Sequence, residues 1–218
     1  MIGISVAAKK EWKVVLDYYH KDIDKIDKYP YGEYFFEKIN GKDVIFYRCG
    51  TRKTKASGAT QYMIDKFNVD KIVVIGTCAG VDEKYKLLDI FLPNKVVQVD
   101  CTYLEQGDSF KEDFIVDINL DEYIFNYNTC IIGSSDKPMI HKEVCDLMCN
   151  NNLTVIDMES APIAYICKVN DIECVIIKGI SDFPGKYDYL DENQFNEYVV
   201  NIPKVMNRII DEYLEKVI

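Results

Sequence analysis

Apolar residues along this chain fall into two kinds of run. Short blocks of strand length alternate with longer segments in which apolar positions recur every three to four residues. Ile2–Val6 is the first block, followed by a helical pattern from about Lys9 to Tyr19. Tyr34–Ile39 and Asp43–Tyr47, joined across Asn40-Gly41, predict a β-hairpin. A helix follows from about Thr54 to Phe67, then a buried strand from Lys71 to Ile75. Phe91–Gln98 and Thr129–Gly133 read as strands, and polar residues with Pro138 near its start favour a helix over His141–Asn150. Thr154–Ile156 and Cys174–Ile177 are strands on either side of an amphipathic helix. A long helix from about Glu192 to Lys216 closes the chain. This alternation predicts a sheet built from βαβ units. Gly107–Ile124 is the least patterned stretch and predicts a loop or a short helix. With no repeat, low-complexity tract or flexible linker, residues 1–218 are expected to form one domain.

Composition narrows the function. The chain has 218 residues, 48% hydrophobic and 28% charged, as in ordinary soluble domains. Its net charge of −10 and the absence of a basic cluster longer than Arg52–Lys55 argue against a polynucleotide partner. The opening MIGISVAAKKEW lacks a secretory pattern, and no apolar run is long enough for a bilayer, so a cytoplasmic protein without membrane contact is expected. Eight cysteines without paired CxxC motifs read as structural thiols. Cys145 and Cys149, one helical turn apart, lack enough histidines nearby for zinc, so no metal is predicted.

The informative stretch is Thr154–Gly185. One strand runs into Asp157-Met158-Glu159-Ser160, and a second delivers Ser181-Asp182 at its carboxyl end. Carboxylates at such strand ends stand where open α/β sheets bind ligands, and burial disfavours them unless something engages them. Taken alone, Ser181-Asp182 also suits a turn or a helix cap. Val74–Gly80 ends in small residues, which suits either a tight turn or close approach of a ligand to backbone N–H groups. It lacks the third glycine of a dinucleotide fingerprint. Glu11 reads as a solvated acid favouring a helix start, or as a functional carboxylate in the first turn after a strand.

The Asp-Met-Glu-Ser-Ala and Gly-Ile-Ser-Asp runs closely resemble two signatures of the nucleoside phosphorylase/nucleosidase superfamily, nearest to the 5′-methylthioadenosine/S-adenosylhomocysteine nucleosidases. The resemblance implies a single-domain three-layer α/β/α sandwich with a central mixed twisted sheet. It implies hydrolysis of a purine nucleoside N-glycosidic bond, without metal or organic cofactor, in a homodimer whose Asp100–Gln106 segment reaches the neighbour's site. In this reading Glu11 activates water, and Asp182, oriented by Ser181, assists departure of the base. Glu159 accepts hydrogen bonds from the ribose hydroxyls and offsets positive charge growing on the sugar.

Met158 would pack on the ribose, with Asp157 behind it as a partner or, on its own merits, a helix N-cap. Ala7, Thr77, Cys78 and Ala79 would line the nucleoside, although Ala79 stands where the family carries a glycine. Leu88 stands where a Gly-Asp is usual before the next strand. Pro138 and Met139 occupy the base-contacting positions, with only the Met139 amide able to donate. Phe195 or Phe183 would cover the base or alkylthio group. Arg48-Cys49-Gly50-Thr51-Arg52-Lys53 stands where nucleosidases carry Ser-Gly-x-Gly-Lys and phosphorylases a Gly-rich phosphate loop. Its basic residues leave a phosphorylase as an alternative, and a binding protein without turnover is a further one.

Overall fold

The computed structural model describes residues 1–82, 84–102, 115–137, 152–184 and 192–218. In chain order these form β1 (Ile2–Val6), α1 (Lys9–Tyr18), β2 (Asp27–Tyr29), β3 (Gly32–Ile39), β4 (Lys42–Arg48), α2 (Lys53–Phe67) and β5 (Lys71–Gly80). Next come β6 (Ile90–Gln98), the single turn α3 (Val99–Thr102), β7 (Ile115–Asp117), β8 (Asn128–Ser134) and β9 (Val155–Asp157). The last are α4 (Ser160–Val169), β10 (Glu173–Asp182) and α5 (Glu192–Ile209), ending in a π-helical turn (Ile210–Leu214) and one α-turn (Glu215–Val217).

β1, β5 and β10 lie side by side in parallel, with Ile4 opposite Val73 and Ile75 opposite Ile177. Their near-continuous apolar sequence follows from this position, because helices cover both faces. Neighbouring residues of β4 show the two layers. Phe46 points to one face, where its ring lies 4.7 Å from Tyr19 after α1, while the Tyr47 hydroxyl bonds Thr60 of α2 at 3.1 Å on the other. α5 packs with α1, and α4 with α2. The result is the expected mixed sheet between helical layers.

The sheet also closes on itself. β10 pairs with β5 in parallel and with β6 antiparallel, and β6, β8, β9 and β5 complete the ring. The three-residue strands β2 and β7 were beyond the reach of the periodicity, whereas β9, equally short, was marked by its apolar run. β5 is twice as long as its apolar run suggests, so Gly76–Gly80 is strand rather than tight turn: Ala79 and Gly80 pair with Ile156 and Val155. The terminal helix is interrupted by its π-turn instead of running unbroken. The helix expected over His141–Asn150 lies outside the described residues. None of the six described cysteines is in a disulfide, and five are buried; Cys145 and Cys149 also lie outside. No helix among the described residues is long and apolar enough to cross a membrane.

Candidate active site

A cavity of about 310 Å³ opens where β5, β9 and β10 end, with the starts of α1 and α2 beside it. Glu11, Asp157, Glu159 and Asp182, four carboxylates from three separate parts of the chain, all line it. Ala7, Thr77, Cys78, Ala79, Met158 and Ser181 line it too, so most of the anticipated residues converge there.

Glu11 is 3% exposed, not solvated. One oxygen, Oε2, accepts the Ala8 amide at 2.9 Å, and Oε1 accepts both the amide and the hydroxyl of Thr77 at 2.7 Å. Three donors therefore fix the carboxylate across the gap between α1 and β5. Glu159 is the residue before α4, where its side chain reaches across to the start of α2 and takes the Arg52 amide at 2.8 Å. Burial pushes the Glu159 carboxyl up to about 8, with help from the Asp157 charge, while Lys178 and the Arg52 amide pull the other way.

The Arg52 amide reaches Glu159 through an unusual backbone, φ +79° and ψ 163°. A non-glycine residue held there costs about 1–3 kcal/mol, and such strain gathers at functional sites.

Ser181 and Asp182 share the cavity because β10 carries a bulge. Ile180 pairs with Cys78 and Asp182 with Ala79, leaving Ser181 as the extra residue. Adjacent residues of a regular strand would face opposite sides, and the bulge turns both inward. The Ser181 hydroxyl donates to Asp182 Oδ1 at 2.7 Å.

Asp157 serves two ends. Its oxygens accept the Ser160 amide at 3.1 and 3.2 Å and the Ser134 and Ser160 hydroxyls at 2.5 Å, capping α4. Its Oδ2 also lies 3.0 Å from the Lys178 ammonium. So engaged, Asp157 shapes the floor rather than offering free oxygens to a ligand.

Lys178 is the functional group that sequence reasoning missed. It sits inside β10, 1% exposed, and a Cβ added to Gly76 would stand 3.1 Å from its Nζ and 3.0 Å from Glu11 Oε1. Burial by itself would drive this amine neutral, yet Asp157, Glu11 and Glu159 together raise its pKa and keep it charged. The available signal was a lone charge within an apolar strand, since the run continues through Gly179-Ile180. Tyr198 of α5 was also missed. It lines the cavity, and burial first, then Glu11, Asp182 and Glu159, hold its phenol protonated.

Phe195 is a correction. It is 59% exposed and sits beneath Lys10, whose Nζ is 4.5 Å from the ring centre, and it is not part of the cavity wall. Phe183 packs over Gly80 instead. Pro138 and Met139 lie outside the described residues. Among the described residues no three His, Cys, Asp or Glu side chains are grouped to hold a metal ion.

The neighbouring basic residues are mostly paired. Arg48 holds Glu33 at 2.6 Å and Lys53 holds Asp100 at 2.7 Å, while Arg208, in the last turn of α5, holds Glu212 at 2.9 Å. The first amides of α2 are taken as well, by Glu159 and by Asp136 Oδ1 at 2.8 Å. An anion-binding helix start is thus already filled by the protein's own carboxylates.

Comparison with known proteins gives a consistent family. A sequence model described as the phosphorylase superfamily matches residues 1–215. The 5′-methylthioadenosine/S-adenosylhomocysteine nucleosidase of Buchnera aphidicola is 27% identical over 198 residues, spanning 83% of this chain and 84% of that protein. That of Staphylococcus haemolyticus is 25% identical, with 99% of each chain covered. In structure, futalosine hydrolase of Helicobacter pylori superposes with a TM-score of 0.81 at 17% identity, covering 99% of this chain and 96% of that one. The Campylobacter jejuni methylthioadenosine/S-adenosylhomocysteine nucleosidase gives 0.79 at 18% identity, covering 99% and 98%. At such identities the structural likeness speaks for the fold.

Proposed function

The chain belongs to the phosphorylase superfamily, and from that membership and its site we propose that it is a nucleosidase, hydrolysing the N-glycosidic bond of a purine nucleoside. The observation that carries this reading is the convergence of Glu11, Glu159 and Asp182 on one cavity. Asp182, steadied by Ser181, hydrogen-bonds or protonates the departing purine so that it leaves neutral. Glu159, ionised by ribose hydroxyls that donate to it, offsets the charge growing on the sugar. Glu11, pinned by Ala8 and Thr77, takes the proton of the attacking water. Lys178 keeps the acids compatible at close range.

Water suits this cavity better than phosphate. A dianion would face four carboxylates, and Arg48 and the Arg52 and Lys53 amides are engaged by the protein's own acids. The relatives' names suggest 5′-methylthioadenosine or S-adenosylhomocysteine as substrate, with futalosine, on which the Helicobacter pylori neighbour acts, as another candidate. Cytoplasmic placement and a homodimer belong to the same proposal.

The test is release of free base from a nucleoside panel, with and without phosphate. Base should appear at the same rate in both, and Asp182→Asn should slow it by about 10²–10⁴-fold while leaving the circular dichroism spectrum unchanged. Turnover that requires phosphate would move the protein to the phosphorylases.

A further inference from the structure

Tyr198 is the residue that α5 contributes to the cavity wall among the described residues, and the chemistry above leaves it unused. Its place is fixed by the helix that carries it. Asn201, three residues on along the same helix face, donates from Nδ2 to the Ser181 carbonyl at 2.9 Å and pins α5 to the bulge of β10. Tyr198 thus reaches the cavity half-buried, with Glu11, Asp182 and Glu159 as the charges around its phenol. Burial and these acids keep the phenol protonated, which makes it a donor. Its side-chain hydrogen-bond partner is Thr77. The Thr77 hydroxyl has one proton, already committed to Glu11 Oε1 at 2.7 Å, so toward Tyr198 it accepts.

The lone pairs of Glu11 give this chain a consequence. A carboxylate offers about four acceptor sites. Oε1 takes the amide and the hydroxyl of Thr77, and Oε2 takes the Ala8 amide, which leaves one site on Oε2 among the described residues. On the nucleosidase reading above, on which this step rests, that site receives the attacking water. We propose that Tyr198 is a positioning residue for the hydrolytic step: its phenol donates to the Thr77 hydroxyl and that hydroxyl to Glu11, so that the carboxylate is held with its remaining site open to the cavity. Donors in series polarise one another, so each bond strengthens the next. Without the phenol nothing stands behind the Thr77 hydroxyl, and a small displacement of the base is costly to the reaction it serves.

The experiment is a double-mutant cycle of Tyr198→Phe and Thr77→Val, each of which deletes a hydroxyl and keeps the side chain's shape. It is read in kcat and KM for base release from 5′-methylthioadenosine and from futalosine. Tyr198→Phe should lower kcat about tenfold, the size of one net hydrogen bond, with KM within about twofold. Thr77→Val should cost more, and adding Tyr198→Phe to it should cost nothing further, because the phenol acts only through Thr77. An unchanged kcat in Tyr198→Phe, a raised KM in place of a lowered kcat, or losses that multiply in the double variant would overturn the proposal. Absence of base release from both nucleosides in wild type would instead count against the nucleosidase reading. The hydrogen-bonded chain is then judged by the same cycle on urea midpoints. Tyr198→Phe should lower the midpoint of wild type but not that of Thr77→Val, and equal shifts in the two backgrounds would overturn it.

Discussion

At Lys178 a single ammonium sits among Asp157, Glu11 and Glu159 with almost no solvent. Removing one partner of a buried charge cluster costs far more than the cluster contributes, because the remaining charges lose their compensation. Lys178→Met is therefore expected to lower unfolding stability by about 3–5 kcal/mol in urea denaturation. A loss below about 1 kcal/mol would mean the acids are compensated elsewhere. Glu159 supplies a pH dependence. A carboxyl raised to about 8 in the folded state contributes stability that is complete below its unfolded value of about 4.3 and lost as pH rises through 8. Ribose hydroxyls favour the ionised form, so nucleoside binding at pH 7 should release protons and tighten as pH rises toward 8. Calorimetry in two buffers of different ionisation enthalpy reads this directly, and proton-neutral binding at pH 7 would contradict it. At this scale the motif residues Glu159 and Asp182 were legible, because Glu159 comes just after β9 and Asp182 closes β10. Lys178 was not, because nothing in the sequence reveals that three distant acids meet at its ammonium. Phe195 misled because an aromatic near a helix start carries no mark of which way it faces.

Among the elements, β10 does most to build the site. It joins β5 to β6, buries Lys178 below the cavity, and bulges at Ser181 so that two successive side chains face the ligand. Its Gly179 permits α5 to lie close: an added Cβ would stand 2.5 Å from Val205 Cγ1 and 2.6 Å from Ile90 Cδ1. Gly179→Ala should thus cost about 1–3 kcal/mol by overpacking, read as a lowered Tm, with an unchanged Tm arguing against that packing. The strands of the core were readable from apolar runs because both their faces are covered. Their ends were harder. Gly76–Gly80 carries few large apolar residues, so the second half of β5 looked like a turn, although backbone pairing with β9 and β10 holds it extended. The bulge leaves no trace in composition at all.

Across the whole molecule, charge and topology point the same way. An acidic chain gathers four carboxylates at one cavity and engages Arg48 and Lys53 with other acids. The layered α/β plan followed from the alternation of runs, whereas ring closure depends on pairing of Lys178 and Gly179 with Phe91 and Ile90, far away in sequence, and could not. The central claim is that water, activated at Glu11, attacks the sugar. Turnover of 5′-methylthioadenosine in heavy-oxygen water containing phosphate, followed by mass spectrometry of the sugar, tests it most directly. The account predicts a free sugar carrying one heavy oxygen at its anomeric carbon. A sugar 1-phosphate without the label would contradict it.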